Sequence, residues 1–204
     1  VWRSAAPHPQ AHLLTQAVEI SSVSGDEHEL ASFLRGWARH RGLNADLDDR
    51  GNLVVTKGEG QHHLLLLGHL DTVPHRWPAR WEEATLHGRG AVDAKGSLTA
   101  FLEVLSQLPV PADCRVTVAG AVEEETTSEG AFHLAKNLRA DAVVIGEPSG
   151  SRSLTIAYYG LVKIRMALSI PAGHTAGQGV KTAADLIGEA LSRTHQAVHD
   201  LSPE

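Results

Sequence analysis

The chain has 204 residues, 42% of them hydrophobic, and carries 18 Lys+Arg against 24 Asp+Glu for a formal net charge of −6. That suffices for one sizeable core, or one domain plus part of another, and the balance excludes the clustered Lys/Arg of nonspecific nucleic-acid binders. The lone Cys114 excludes an internal disulfide and a cysteine-based zinc cluster. No apolar run is long enough to span a membrane and no leader pattern opens the sequence. The expectation is a soluble, cytoplasmic protein with no nucleic-acid and no membrane partner. Two oddities are the 13 histidines and a first residue, Val1, that is not Met; the latter suggests a processed or excised chain.

Residues 1–9 hold two prolines and no periodicity, and read as a lead-in. A helix is predicted over 11–20, with Leu13, Leu14, Ala17 and Val18 on one stripe. Ser24 followed three residues later by Glu27 is a capping-box pattern, predicting a second helix over 26–40 with Leu30, Phe33, Leu34 and Trp37 inward and Gly42 ending it. Strands follow near 45–47 and 53–56, joined by the turn-rich Asp49-Arg50-Gly51-Asn52.

Residues 64–67 are four consecutive leucines. A half-buried strand would alternate apolar and polar residues, so this run fits a strand covered on both faces, the central-strand pattern of an α/β sheet. It stops at Gly68 and delivers His69-Leu70-Asp71. Positions i and i+2 of a strand share a face, and open α/β sheets keep their ligands at the C-terminal ends of the strands. Taken alone, the pair reads more readily as a satisfied histidine and a turn aspartate at a strand end.

A long loop is expected over 72–86; such loops are usually functional. The glycine-dense stretch 88–96 then opens a helix over 97–108. A dinucleotide fingerprint would need a third glycine where Asp93 stands, which argues against a Rossmann loop. A β-branched strand over 115–122 ends in Glu123-Glu124-Glu125, a helix covers 129–137, and a short buried strand over 141–145 ends in Gly146-Glu147-Pro148. Three strands therefore end in metal-capable side chains: His69 and Asp71, then Glu124 and Glu125, then Glu147, with Asp93 on the connection between. Carboxylates with one imidazole and no thiolate suit Zn²⁺, Mn²⁺ or Co²⁺ at a catalytic site. A solvated acidic cluster at a strand end would show the same Glu124-Glu125 pair. Beyond Pro148, residues 154–170 have strand character, 171–179 form a loop containing His174, and an amphipathic helix is predicted over 181–201. A domain boundary is expected near 149–153.

His69-Leu70-Asp71, the stretch from Gly88 to Gly96, Glu123-Glu124-Glu125 and Gly146-Glu147-Pro148-Ser149 resemble, in order and spacing, the motifs of the M20 metallopeptidase and amidohydrolase family. The resemblance runs from the first helix to His174. The wording around Gly146–Gly150 and Tyr158-Tyr159-Gly160 is most similar to the branch that releases lysine or ornithine from an amino-group carrier protein, also labelled N-acetyl-lysine deacetylases.

The resemblance implies an α/β fold with a mixed, mostly parallel sheet flanked by helices, like a zinc exopeptidase, over residues 1–150. Residues 151–204 would begin an α+β lid or dimerisation domain. It implies two metal ions, Zn²⁺ with Co²⁺ or Mn²⁺ as alternatives, bridged by Asp93. His69 and Glu147 would complete one ion's ligands and Glu125 would serve the other. Glu124 would be the general base, Asp71 would orient His69, and His174 would stabilise the oxyanion, commonly across a homodimer interface. The Asp93–Ala94 peptide is expected to be cis, as is usual in the family. Arg152, Lys163, Arg165 and Lys181 are candidates for a basic patch attracting an acidic carrier protein.

The family takes a further histidine for the second ion from near the C-terminus, whereas this sequence ends at Glu204. The expectation is therefore a fragment or truncated gene product holding at most one ion tightly. His195 and His199 have metal-compatible i, i+4 spacing but fall in the smaller domain. The leading reading is an amidohydrolase freeing lysine or ornithine from an N-acyl or carrier-linked form. The alternatives are a di- or aminopeptidase of the same family, or an inactive metal-binding remnant.

Overall fold

A computed structural model describes residues 12–150, 152–157, 160, 164–171 and 181–201. The chain divides into two units, Val1–Leu154 and Thr155–Glu204. In the first, helices α1 (His12–Glu19) and α2 (His28–His40) precede strands β1 (Asn44–Leu47), β2 (Leu53–Lys57) and β3 (His62–His69). A small hairpin, β4 (Arg80–Glu82) and β5 (Thr85–His87), leads to helix α3 (Lys95–Gln107), strand β6 (Cys114–Ala121), helix α4 (Glu129–Asn137) and strand β7 (Ala142–Ile145).

The main sheet has the order β1-β2-β6-β3-β7. β6, β3 and β7 are parallel neighbours, and only β2 runs against the other strands. The four leucines fill both faces of β3. Leu64 and Leu66 lie against the core cluster to which α1, α2 and α3 contribute, while Leu65 and Leu67 belong with the smaller cluster that holds Leu134 and Ala131 of α4. The three-helix face carries most of the core: Leu13, Leu30, Leu34, Leu98, Leu102 and Leu105 are each at most 2% exposed. Each such leucine contributes roughly 1.5–3 kcal/mol on burial.

Four expectations need correction. Ser24 does not cap α2: no side chain caps that helix, which begins at His28 after Glu27, and Ser24 hydrogen-bonds Asp71 instead. The segment 72–86 is not structureless, because Arg80–Glu82 and Thr85–His87 pair around Glu83 at φ 53°; strands of three residues are too short to show a period. β7 is not buried. All four of its residues are exposed, since it is the sheet's edge and no described segment lies on its far side. Finally, no strand forms among the described residues of 154–170. β-branched residues make a strand only against a hydrogen-bonding neighbour, and none is present among the described residues there. In the second unit the described secondary structure is helix α5 (Ala183–Leu201).

Gly146 brings the end of β7 close to α3. A Cβ there would stand 2.7 Å from Phe101 and 2.8 Å from Ser97. The bare backbone lets the strand end touch the helix, where Ser97 Oγ donates to the Gly146 carbonyl. Glu147 is the next residue.

Candidate metal centre

The parallel strands bring their C-terminal ends to one edge of the sheet. His69 is the last residue of β3 and pairs with Ala121, the last of β6. Glu124 and Glu125 follow three and four residues later, and Glu147 follows β7. Asp93 sits just before α3, joined to Ala94 by a cis peptide as the resemblance implies, where the helix N-terminus favours negative charge.

The predicted residues meet. His69 Nε2 is 3.0 Å from Asp93 Oδ1 and 3.8 Å from Glu147 Oε1. Donor atoms of His69, Asp93 and Glu125 all lie within 4.8 Å of one another. The His69 side chain is 2% exposed, whereas the side chains of Asp93 and Glu147 remain half open to solvent, so the cluster is a cleft and not a sealed core. Glu124 is exposed beside it. His174 and Lys163 lie outside the described residues.

His69 Nδ1 faces the Asp71 carbonyl at 2.9 Å and Asp71 Oδ1 at 3.3 Å. Both are acceptors, so Nδ1 carries a proton; Nε2, 3.0 Å from Asp93 Oδ1, carries the second and donates it there, and the Nε2 lone pair becomes available only when that proton leaves. Burial lowers the imidazole pKa, but hydrogen bonds to Asp71 and Asp93 and the charges of Asp71 and Glu147 outweigh it and raise it to about 9. Glu125 and Glu147 are pushed up as well, first by burial and then by neighbouring carboxylates, against the opposing pull of His69. Among the described residues, neither Lys nor Arg pairs with Asp93, Glu124, Glu125 or Glu147. Negative charge is thus concentrated around one imidazole nitrogen, with only its proton to offset it. That donor set fits a divalent cation, which would take the proton's place.

Asp71 is the hub behind these groups. Its carboxylate, 0% exposed, accepts Glu124 N–H on Oδ1 and Glu125 N–H on Oδ2, each at 3.0 Å, and Ser24 Oγ–H on Oδ2 at 2.7 Å. Burial raises its pKa, yet the bonds from His69, Ser24, Glu125 and Glu124 prevail and hold it below the ordinary carboxylate value. Sequence reasoning missed Ser24 and Glu27 as site components. Their S-x-x-E spacing was visible, but it reads as a helix cap.

Residues 65–202 match the model of peptidase family M20/M25/M40. The chain belongs to that family. Among M20 relatives, the LysW-lysine hydrolase of Deinococcus radiodurans is 45% identical over 188 residues, covering 88% of this chain and 52% of its own. The LysW-lysine/LysW-ornithine hydrolase of Sulfurisphaera tokodaii is 29% identical over 180 residues, covering 88% and 51%. The chain thus spans about half the length of the curated relatives it matches. The crystal structure of a tripeptidase from Staphylococcus aureus shares the M20 fold, with a TM-score of 0.59 and 24% identity over 69% of this chain and 43% of that one.

Proposed function

We propose that the chain is a metal-dependent amidohydrolase that releases lysine or ornithine from an N-acyl or carrier-linked precursor in amino-acid biosynthesis. The observation that carries the hydrolase reading is the gathering of His69, Asp93 and Glu125, with Glu147 3.8 Å from His69, at the open ends of parallel strands. The names of the M20 relatives, hydrolases of LysW-linked lysine or ornithine, support the substrate class.

In this reading His69, Asp93, Glu125 and Glu147 would hold Zn²⁺, with Co²⁺ and Mn²⁺ suiting the same donors. When bound, the cation would supply Lewis acidity toward the scissile carbonyl and toward water. Asp71 fixes the His69 tautomer so that Nε2 presents its lone pair. Glu124, exposed at the cleft, takes the proton of the attacking water and returns it to the leaving amine. His174 stabilises the developing oxyanion. Residues 1–150 form the catalytic domain and 151–204 belong to a lid or dimerisation domain of a cytoplasmic homodimer.

The test is hydrolysis of N-acetyl-lysine and of the lysine-linked carrier by the purified chain with Zn²⁺ or Co²⁺. Release of lysine that EDTA abolishes is the expected result. Cleavage of free dipeptides with no release from either linked lysine would overturn the substrate assignment.

A further inference from the structure

We propose that Glu27 is a positioning residue for Glu124 and Glu125: its buried carboxylate sets the backbone turn on which both stand. Glu27 is 5% exposed although it lies in the short loop before α2, which ordinarily places a glutamate in water. Its Oε1 accepts the N–H of Gly25 at 3.0 Å, which shapes its own loop, and the N–H of Glu123 at 3.0 Å. Glu123 has φ 57°, a left-handed conformation uncommon for a residue with a side chain. The next two N–H groups, of Glu124 and Glu125, are taken by Asp71. Three successive amides are therefore held by two buried carboxylates from different parts of the chain. Asp71 alone fixes where Glu124 and Glu125 are anchored. Glu27 fixes the peptide that enters the turn, and so the direction in which both side chains leave it.

The functional consequence rests on the proposed metal site, while the geometry does not. Glu27→Gln keeps a carbonyl oxygen in place of Oε1 and both bonds with it. Glu27→Ala removes the acceptor, and Glu27→Asp withdraws it by one methylene while keeping the charge.

Amide hydrogen exchange on the metal-free chain reads the turn directly. Glu27→Ala is expected to speed exchange at Glu123, Glu124 and Glu125 by about tenfold or more, leave Val116 and Val118 of β6 unchanged, and be reversed by Glu27→Gln. Unchanged exchange at the three amides overturns the proposal. If Glu27→Ala loses protection throughout, Glu27→Asp decides: loss confined to the three amides supports the positioning role, and no loss there overturns it.

Titration with Co²⁺ supplies the second readout. Glu27→Ala, or Glu27→Asp in its place, is expected to bind roughly 10–100-fold more weakly than the parent chain, the usual cost of disturbing groups behind metal ligands, with Glu27→Gln close to the parent. An unchanged Co²⁺ affinity together with a lowered melting temperature would reduce Glu27 to a structural residue and overturn the proposal. Failure of the parent chain to bind Co²⁺ would sink the metal reading instead, leaving the exchange rates to decide the role of Glu27.

Discussion

Ser24 Oγ donates a 2.7 Å hydrogen bond to Asp71 Oδ2 across 47 residues of chain. The loop entering α2 is thereby tied to the end of β3, and the carboxylate between them is left with no spare acceptor facing the Glu124–Glu125 turn. Asp71→Asn should be costly on that account. An amide NH₂ would point at a backbone N–H that now has an acceptor, leaving at least one buried donor unpaired at about 1–3 kcal/mol. Urea unfolding should show that loss, and Co²⁺ affinity should fall roughly 10–100-fold. Ser24→Ala, which removes one donor and strands none, should cost less on both counts. Equal effects of the two variants would mean Asp71 is not the hub.

Asp93 and Glu124 should separate binding from turnover. Asp93→Ala removes the carboxylate 3.0 Å from His69 Nε2 and should abolish tight metal binding. Glu124→Ala should keep the metal and lower kcat by about 10²–10⁴-fold, the range of a general base. Loss of metal in Glu124→Ala, seen by elemental analysis, would mean the roles of Glu124 and Glu125 are exchanged.

The metal-free chain should lose stability as pH rises from about 6.5 to about 8. His69 is raised from 6.5 to about 9 in the folded state, so the folded chain binds the extra proton. Its contribution is complete below pH 6.5 and disappears as pH rises through 9. One such group is worth up to about 3 kcal/mol over that interval. Glu125 and Glu147, also raised, act in the same direction at lower pH; Asp71, lowered, acts in the opposite one, and so does Lys95 above pH 8, being lowered from 10.5 to about 8. Thermal unfolding from about pH 6 to about pH 8 with EDTA should show the decline, before Lys95 begins to offset it. With saturating Zn²⁺ the decline should vanish, because the ion replaces the proton.

Lys95 offers a test away from the carboxylates. It is 1% exposed and donates from Nζ to the carbonyls of Ala17 and Ile20, which α1 leaves unpaired at its C-terminal end. Burial lowers its pKa to about 8. Lys95→Met keeps a flexible stem against Gly90 and removes the ammonium. The expected loss is about 1–3 kcal/mol in urea unfolding. An unchanged midpoint would show that water satisfies those carbonyls.

Much of the site is legible in the sequence because the informative residues sit at strand ends. His69, Asp93, Glu125 and Glu147 need only the parallel arrangement of β3, β6 and β7 to meet, and the four-leucine run announces the central strand. The α1, α3, α4 and β6 segments follow from period and punctuation. Ser24 and Glu27 mislead because their spacing satisfies a local rule for helix starts, while their actual partners lie 47 and 96 residues away. The β4–β5 hairpin escapes because three-residue strands carry no period. The exposure of β7 is hidden because Ala-Val-Val-Ile reads identically at the centre and at the edge of a sheet.

The register of the parallel strands has a last consequence. His69 lies opposite Ala121, and Leu67 opposite Ile145, so Glu125 and Glu147 reach the imidazole only in this alignment. A slip of one residue moves a strand by about 3.3 Å and turns its side chains to the other face. That step is nearly the whole 3.8 Å separation of His69 Nε2 and Glu147 Oε1. A cation held by these donors would thus act as a ruler for the sheet, rewarding the one alignment that brings them within reach and giving nothing to a chain that has zipped up out of step.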